Sequence, residues 1–431
     1  MDSDNEGSDP VEVPVFRPSW EEFKDFNKFI EKVEPRCAAG LCKIVPPPEW
    51  VPNKSGYNIS AGLYISHPVR QHVKGRGGVY TVLNVVEEDQ MTVDKFYKLA
   101  EEQEKKRSKR EQELASAQTV DYEQLQRAFW SNISFMPPIY GADSVGTLFD
   151  DNLEVWNANK LGSILDVLQD EIPGVNNAML YFGMWKAAFA WHVEDMNLYS
   201  VNFLHFGRPK QWYVIPPKYA DRMDHVCQGL FPEMHKHCPE FLRHKQCFVH
   251  PSVLSGQHGI PVLRMTQHPG EYMITFPRAY HSGFNYGFNC AESVNFASER
   301  WIPIGRKASR CVCRPDTVGI NMDHFEEMLE EYKAGTLKLQ PRSHVVITKP
   351  LRSMTGIASH RTTDKDKLKD FSIREDEVNP VRSPKSPVKS PQAASASPSP
   401  AKSKGRKRKS TEGSPPQPTN SSAADAGTVA T

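Results

Sequence analysis

Only eight of the 431 residues are cysteine, scattered too thinly for a disulfide framework in a chain of this length. No apolar run approaches the roughly 18 residues of a membrane-spanning helix. Met1 to Pro10 is acidic and polar, where a secretory signal would be basic and then apolar. Net charge is also nearly absent, with 53 Lys and Arg against 52 Asp and Glu, so whole-chain charge names no partner. Beyond Ile373 there is no leucine, isoleucine, phenylalanine, tryptophan or tyrosine. Residues 381–410 hold nine Lys and Arg, no acid, and repeated Ser-Pro pairs. Such a stretch buries too little apolar surface to offset its ordering entropy, so 374–431 reads as disordered. Secreted, membrane and collagen-like classes are excluded. The expectation is a soluble intracellular protein with no membrane partner and one substantial core.

What is present falls into blocks. Trp20, Phe23, Phe26, Phe29, Ile30 and Val33 recur at helical spacing behind Ser19, a plausible N-cap, before Pro46, Pro47 and Pro48 end regular structure. Residues 54–90 read as β-rich and 94–131 as helical, with Glu101 to Glu113 as a solvated charged face. From Tyr140 to Phe296, short aromatic and β-branched strands alternate with Gly, Pro and Asn turns, the signature of a sandwich or barrel. Leu148 to Leu168 reads as a helix inside that region, and Asp323 to Tyr332 as another.

The sharpest chemical feature is Trp191-His192-Val193-Glu194. Alternate side chains of a strand share a face, so His192 and Glu194 point the same way. An imidazole beside a carboxylate is two-thirds of the facial triad that binds Fe(II) and leaves three positions open. His281, read as following a strand and preceding a turn at Gly283, is the candidate third ligand. Zn²⁺ with a water, a hydrolase centre, is the rival reading. An iron oxygenase of this type also needs a keto-acid cosubstrate such as 2-oxoglutarate. Asn202 and Lys210, eight and sixteen residues after Glu194 and read as lying on the same sheet, supply an amide and a cation, and Tyr140 a hydroxyl. Cys238, His244, Cys311 and Cys313 make a Cys₃His set of structural-zinc type. Cys37, Cys42, Cys227, Cys247 and Cys290 read as core or surface thiols. Lys404-Gly405-Arg406-Lys407-Arg408-Lys409 fits nuclear import or nucleic-acid contact, and Ser386-Pro387 and Ser399-Pro400 have the form of proline-directed phosphorylation sites.

Val13-Pro14-Val15-Phe16-Arg17-Pro18-Ser19-Trp20, with Gly40 to Trp50, resembles the JmjN module. Tyr181 to Met196, Asn202 to Trp212 and Phe284 to Phe296 resemble a JmjC domain. Together, over 12–335, they resemble the JmjN-plus-JmjC Jumonji histone H3 lysine demethylases acting on trimethylated lysine 9 and lysine 36. The resemblance implies a mainly β fold with helices (α+β): a JmjC double-stranded β-helix, or cupin-like jelly roll, with a packed JmjN unit. The implied layout is JmjN 12–55, a hairpin and helical linker 56–139, JmjC 140–313, a helical segment 314–345 and a basic tail 346–431. It implies His192, Glu194 and His281 as Fe(II) ligands and Tyr140, Asn202 and Lys210 as 2-oxoglutarate contacts. Cys238, His244, Cys311 and Cys313 match the zinc site, and Gly174, Tyr181, Glu194, Ser293 and Asn295 the methyl-lysine pocket. The implied activity is N-methyl hydroxylation of the histone H3 tail using O₂, in chromatin and hence in the nucleus. Met179 and Val294 depart from the family pattern, both expected near the substrate pocket. A protein hydroxylase of the same fold and a non-catalytic chromatin scaffold are the rival functions. No reader module follows the core, as in the short members of the family.

Overall fold

The computed structural model describes residues 11–57, 62–117, 119–314 and 317–339. The expected disordered stretch and the basic tail lie outside these residues.

β1 (Val15–Phe16) and β2 (Leu41–Ile44) flank two short helices, Trp20–Phe23 and Phe26–Val33. β3 (Tyr64–Ile65), β4 (Val69–Arg76), β5 (Val79–Val86) and β6 (Met91–Thr92) precede three helices, Val93–Lys105, Lys109–Ser116 and Tyr122–Ser131. β7 (Ile139–Val145), β8 (Met179–Gly183), β9 (Ala188–His192), β10 (Tyr199–Gly207) and β11 (Lys210–Ile215) follow. β12 (Cys247–Val249), β13 (Leu263–Gln267), β14 (Tyr272–Thr275), β15 (Tyr280–Asn285) and β16 (Asn289–Phe296) complete the set, before a C-terminal helix, Met322–Lys333.

Ten strands form one sheet in the order β1-β2-β14-β10-β16-β8-β7-β4-β5-β12, and four form a second in the order β13-β11-β15-β9. Non-consecutive neighbours in both sheets are the mark of the expected jelly roll. The outer face of the large sheet is covered by the N-terminal unit. Here Phe26 meets Phe296 edge-on at 5.0 Å, Trp50 meets Phe203 at 5.3 Å, and Phe23 stacks on Trp156 at 4.4 Å. β2 also pairs with β14, so this unit extends the sheet as well as covering it. The Ser19 cap is present, its backbone N–H donating to Glu22, but Asp25 opens a second helix by capping Lys28 N. The single periodic run is therefore two helices.

Leu148 to Leu168 is not a helix. Only Ile164–Val167 forms a 3₁₀ turn. The stretch is rich in Asp and Asn, whose side chains take over backbone partners: Asn157 Oδ1 accepts from Asn159 N, and Asn159 Oδ1 accepts from Ala178 N. Trp156 and Gly162 have positive φ, which also breaks helical continuity. Gly283 likewise is no turn: it lies inside β15, where a Cβ would meet Gln211 O at 2.0 Å and the Phe189 ring at 2.5 Å. The Glu101 to Glu113 face is mostly exposed as expected, with Gln103, Glu104 and Glu111 half-buried and Arg107 buried. That residue is 5% exposed and lies 4.0 Å over the Trp185 ring.

Candidate metal and cosubstrate site

β9 and β15 are antiparallel neighbours, and His192 stands directly opposite His281 in their register. The imidazole centroids are 4.2 Å apart. β9 ends at His192, but Glu194 keeps extended backbone (φ −65°, ψ 152°), so the alternation expected from sequence survives past the strand end. One ligand atom from each of His192, Glu194 and His281 lies within 4.8 Å of the others. His281 Nε2 is 3.3 Å from Glu194 Oε1. Cis donors bonded at about 2.1 Å on one octahedral face lie ~3 Å apart, so the spacing suits a metal.

The imidazoles are oriented for the same purpose. His192 Nδ1 faces the Ala190 carbonyl at 2.7 Å, and His281 Nδ1 the Ala279 carbonyl at 3.0 Å. Each carbonyl can only accept, so Nδ1 carries the proton and Nε2 keeps its lone pair for a ligand. Desolvation and the neighbouring His281 push His192 well below the usual histidine range, favouring the neutral ligating form. Desolvation opposes charge on Glu194, but with no metal bound a proton on His281 Nε2 supplies a hydrogen bond and a charge that outweigh it and hold the carboxyl well below its usual range; a metal cation would take that proton's place.

Asn202 and Lys210 are not on one sheet. Gly207, at φ 95°, ends β10 in the large sheet, and Lys210 opens β11 in the small one, so the chain crosses between sheets at that turn. Gln267 nevertheless links them, standing opposite Lys210 in the β11–β13 register while its amide reaches Asn202. Lys210 is 1% exposed, and burial lowers its ammonium pKa to about 7. Its Nζ donates to Asn285 Oδ1 at 2.7 Å and lies 6.0 Å from the Tyr140 ring centroid. No carboxylate pairs with it among the described residues. A buried ammonium facing only a neutral amide is costly and suits an anionic ligand. Asn202 accepts from Gln267 Nε2 at 3.2 Å, which orients its amide. Desolvation raises the Tyr140 hydroxyl pKa, keeping it a neutral donor.

Along the same rim, Tyr181, its ring 6.3 Å from that of Tyr140, donates its hydroxyl to Asp143 at 2.8 Å. Ser293 and Asn295, two apart on β16, share a face. Ser293 Oγ donates to Val201 O, and Asn295 Nδ2 to Tyr199 O. Gly174, at φ 77°, accepts from Asn295 N at 2.9 Å. Met179 lies beside Gly174, its Cγ 4.0 Å from where a Cβ would stand. Val294 does not face this rim: alternation turns it outward, into the core with Phe26, Val201 and Phe296.

The Cys/His set also converges. His244 Nε2 is 3.2 Å from both Cys311 Sγ and Cys313 Sγ, and the cysteine sulfurs lie 3.1 and 3.7 Å apart along the cluster. Thiolates bound tetrahedrally at about 2.3 Å stand ~3.7 Å apart, which these distances approach. Desolvation opposes ionisation of Cys311, yet hydrogen bonds with Cys313 and His244 bring its pKa to about 6, so one thiolate is ready at neutral pH. The other five cysteines are all buried thiols.

Three neighbours of the site escaped the sequence reading. Asn285 shares the parity of His281 on β15, so period-two alternation could have found it. Lys245 sits at φ 55° after the 3₁₀ turn. Desolvation lowers its pKa, but the charges of Glu194, Asp195 and Asp143 more than reverse this. Arg243 carries no sequence signal.

Comparison with known proteins agrees with this geometry. Residues 179–296 match the family described as JmjC domain, hydroxylase, and 14–46 the jmjN domain. Lysine-specific demethylase 4B of Mus musculus is 42% identical over 86% of this chain and 34% of its own length. Lysine-specific demethylase 4D of Rattus norvegicus is 46% identical over 74% of this chain and 61% of its own. Probable lysine-specific demethylase 4F of Homo sapiens is 44% identical over 74% and 49%. The chain thus spans between about a third and three-fifths of these relatives. With both domains matched in order, the chain carries a JmjN and a JmjC domain and is 42–46% identical to these lysine-specific demethylases.

Proposed function

We propose that this protein is an Fe(II)- and 2-oxoglutarate-dependent dioxygenase. In this reading it removes methyl groups from trimethylated or dimethylated lysine of histone H3, at lysine 9, lysine 36 or both. The observation that carries the proposal is the pairing of two anchored imidazoles and Glu194 with a buried Lys210 that has no carboxylate partner among the described residues. Bound iron supplies, with 2-oxoglutarate and O₂, hydroxylation of an N-methyl group, which leaves as formaldehyde alongside succinate and CO₂.

The protein's part is placement. His192, Glu194 and His281 would hold the metal. Lys210 and Tyr140 take the far carboxylate of the cosubstrate, and Asn202 donates its remaining amide hydrogens. Gly174, Tyr181, Glu194, Ser293 and Asn295 present oxygens to a methylammonium. Such oxygens attract its polarised C–H groups without needing a lone pair on nitrogen, so a quaternary trimethyl-lysine is a fitting substrate. Phe189 and Trp212, 4.9 Å apart beside His281, wall the metal off with apolar surface. The Cys238, His244, Cys311 and Cys313 cluster holds a structural Zn²⁺. In domain terms 12–55 is JmjN, 56–139 the linker, 140–313 JmjC, 314–345 a helical segment and 346–431 the tail. A histone substrate and the basic Lys404 to Lys409 cluster argue for chromatin as partner and the nucleus as location.

The test is mass spectrometry of H3 peptides methylated at lysine 9 or lysine 36, incubated with the protein, Fe(II), ascorbate and 2-oxoglutarate. Stepwise loss of one CH₂ mass per methyl group, absent with Glu194→Ala, is expected and ranks the two positions. Gain of one oxygen mass would instead make the protein a hydroxylase. No change in metal-loaded protein would make it a scaffold.

A further inference from the structure

The turn after Glu194 has a backbone that non-glycine residues disfavour. Met196 and Asn197 both have positive φ, 54° and 51°. The Glu194 carbonyl closes the turn by accepting from Asn197 N at 3.0 Å. Two side chains from distant segments hold it. Trp301 Nε1 donates to Met196 O at 2.9 Å. Arg243 donates Nη1 to the Glu194 carbonyl at 3.1 Å and Nη2 to Asn197 Oδ1 at 3.2 Å. The Arg243 side chain is 7% exposed, with Glu240 Oε2 at 3.4 Å from its Nε. A guanidinium spans both acceptors in one rigid plane, which a lysine ammonium does not.

Arg243 is itself placed by its neighbour in the chain. It belongs to the 3₁₀ turn Phe241–His244, whose last residue contacts Cys311 and Cys313 at 3.2 Å each. One short turn therefore ends in the Cys/His cluster and grips the backbone of Glu194, whose carboxylate faces His281. Nothing in the ligand geometry itself requires that link.

We infer that Arg243 is a positioning residue that carries the closed geometry of the Cys/His cluster to Glu194, so that metal affinity at His192, Glu194 and His281 depends on the cluster. The inference rests on reading that trio as a metal site, and the experiment separates the two. Full-length, zinc-loaded protein, freed of metal at the trio, is titrated with Co(II). Visible absorption reports binding, while zinc content and melting temperature are followed in parallel. Removing an outer-shell partner of a metal ligand weakens binding about 10- to 100-fold. Arg243→Met is expected to weaken Co(II) binding in that range with zinc content unchanged. Arg243→Lys should fall between it and the unaltered protein, and Asn197→Ala should lose less.

Cys313→Ser, which loosens the exposed corner of the cluster, should give a loss of similar size, and the double variant with Arg243→Met should lose no more than either alone. Unchanged Co(II) affinity in folded Arg243→Met overturns the positioning role. Multiplying losses in the double variant overturn the link to the cluster. If Arg243→Met does not fold, Arg243→Lys and Asn197→Ala carry the same comparison, and unchanged affinity in both overturns it. If the unaltered protein shows no Co(II) binding that His192→Ala abolishes, the metal reading itself fails.

Discussion

Lys210 joins stability and ligand binding in one side chain. Burial lowers its pKa from 10.5 to about 7, so the free protein is only partly charged there at neutral pH. A dicarboxylate pairs with the ammonium alone, so its binding takes up a proton once the pH passes 7. The dissociation constant of 2-oxoglutarate, measured by calorimetry in protein loaded with Mn(II), is expected to rise by up to about tenfold per pH unit above that point. In Lys210→Met the constant should be roughly 10- to 100-fold higher at pH 7 and flat with pH. Stability moves with a definite sign. The folded pKa lies below the unfolded one, so the unfolded chain binds the proton more tightly and stability falls as pH drops from 10.5 towards 7. Without cosubstrate, Lys210→Met should therefore melt higher than the unaltered protein at pH 7, with the gap closing towards pH 10. Gly283 sets a second expectation at this scale. A methyl there meets Gln211 O at 2.0 Å, a backbone atom that cannot swing aside, so β11 and β15 would have to part. Gly283→Ala should lower the melting temperature and, by moving His281, weaken Co(II) binding as well.

The loop from Leu148 to Leu168 shows how an element can be misread while its residues matter. Its apolar positions have roughly helical spacing, but their partners are other elements. Trp156, 1% exposed, donates Nε1 to Phe23 O, stacks on Phe23 and meets Phe26 edge-on at 4.8 Å. The loop thus fastens the N-terminal unit to the sheet that carries Asn202 and Asn295. Trp156→Ala should cost about 3–5 kcal/mol in urea unfolding, the range for emptying a large aromatic site. Its first visible effect is expected in near-ultraviolet dichroism from the N-terminal unit. Strands were easier to read than this loop, because β8, β10 and β16 each show β-branched or aromatic residues between turn signals. Their partners were not legible. Nothing local in Asn202 or Lys210 says that Gly207 sends the chain to the other sheet, and Val294 needed the strand's phase to show that it faces outward. His192 and Glu194 were legible because their geometry is local. Arg243 was not, because its partners lie 46 and 49 residues away.

Across the whole molecule, near-neutrality conceals a division of charge. Residues 1–340 carry 44 Asp and Glu against 36 Lys and Arg, whereas 341–431 carry 8 against 17. An acidic body favours encounter with a basic histone tail, and a basic segment favours DNA phosphate, so one nucleosome offers a partner to each end of the chain. Each lysine or arginine that neutralises a phosphate contributes about 0.9 to the slope of log affinity against log salt. Replacing Lys404, Arg406, Lys407, Arg408 and Lys409 with glutamine in the full chain should therefore flatten the slope for duplex DNA by up to about 4.5. Turnover of a free methylated peptide, which offers no phosphate, should not change. Phosphorylation at Ser386 and Ser399 should act in the same direction, since each added phosphate offsets positive charge within the same segment. A slope unmoved by the five substitutions would take DNA contact away from this cluster. A change in free-peptide turnover would mean instead that the basic segment acts on the site itself.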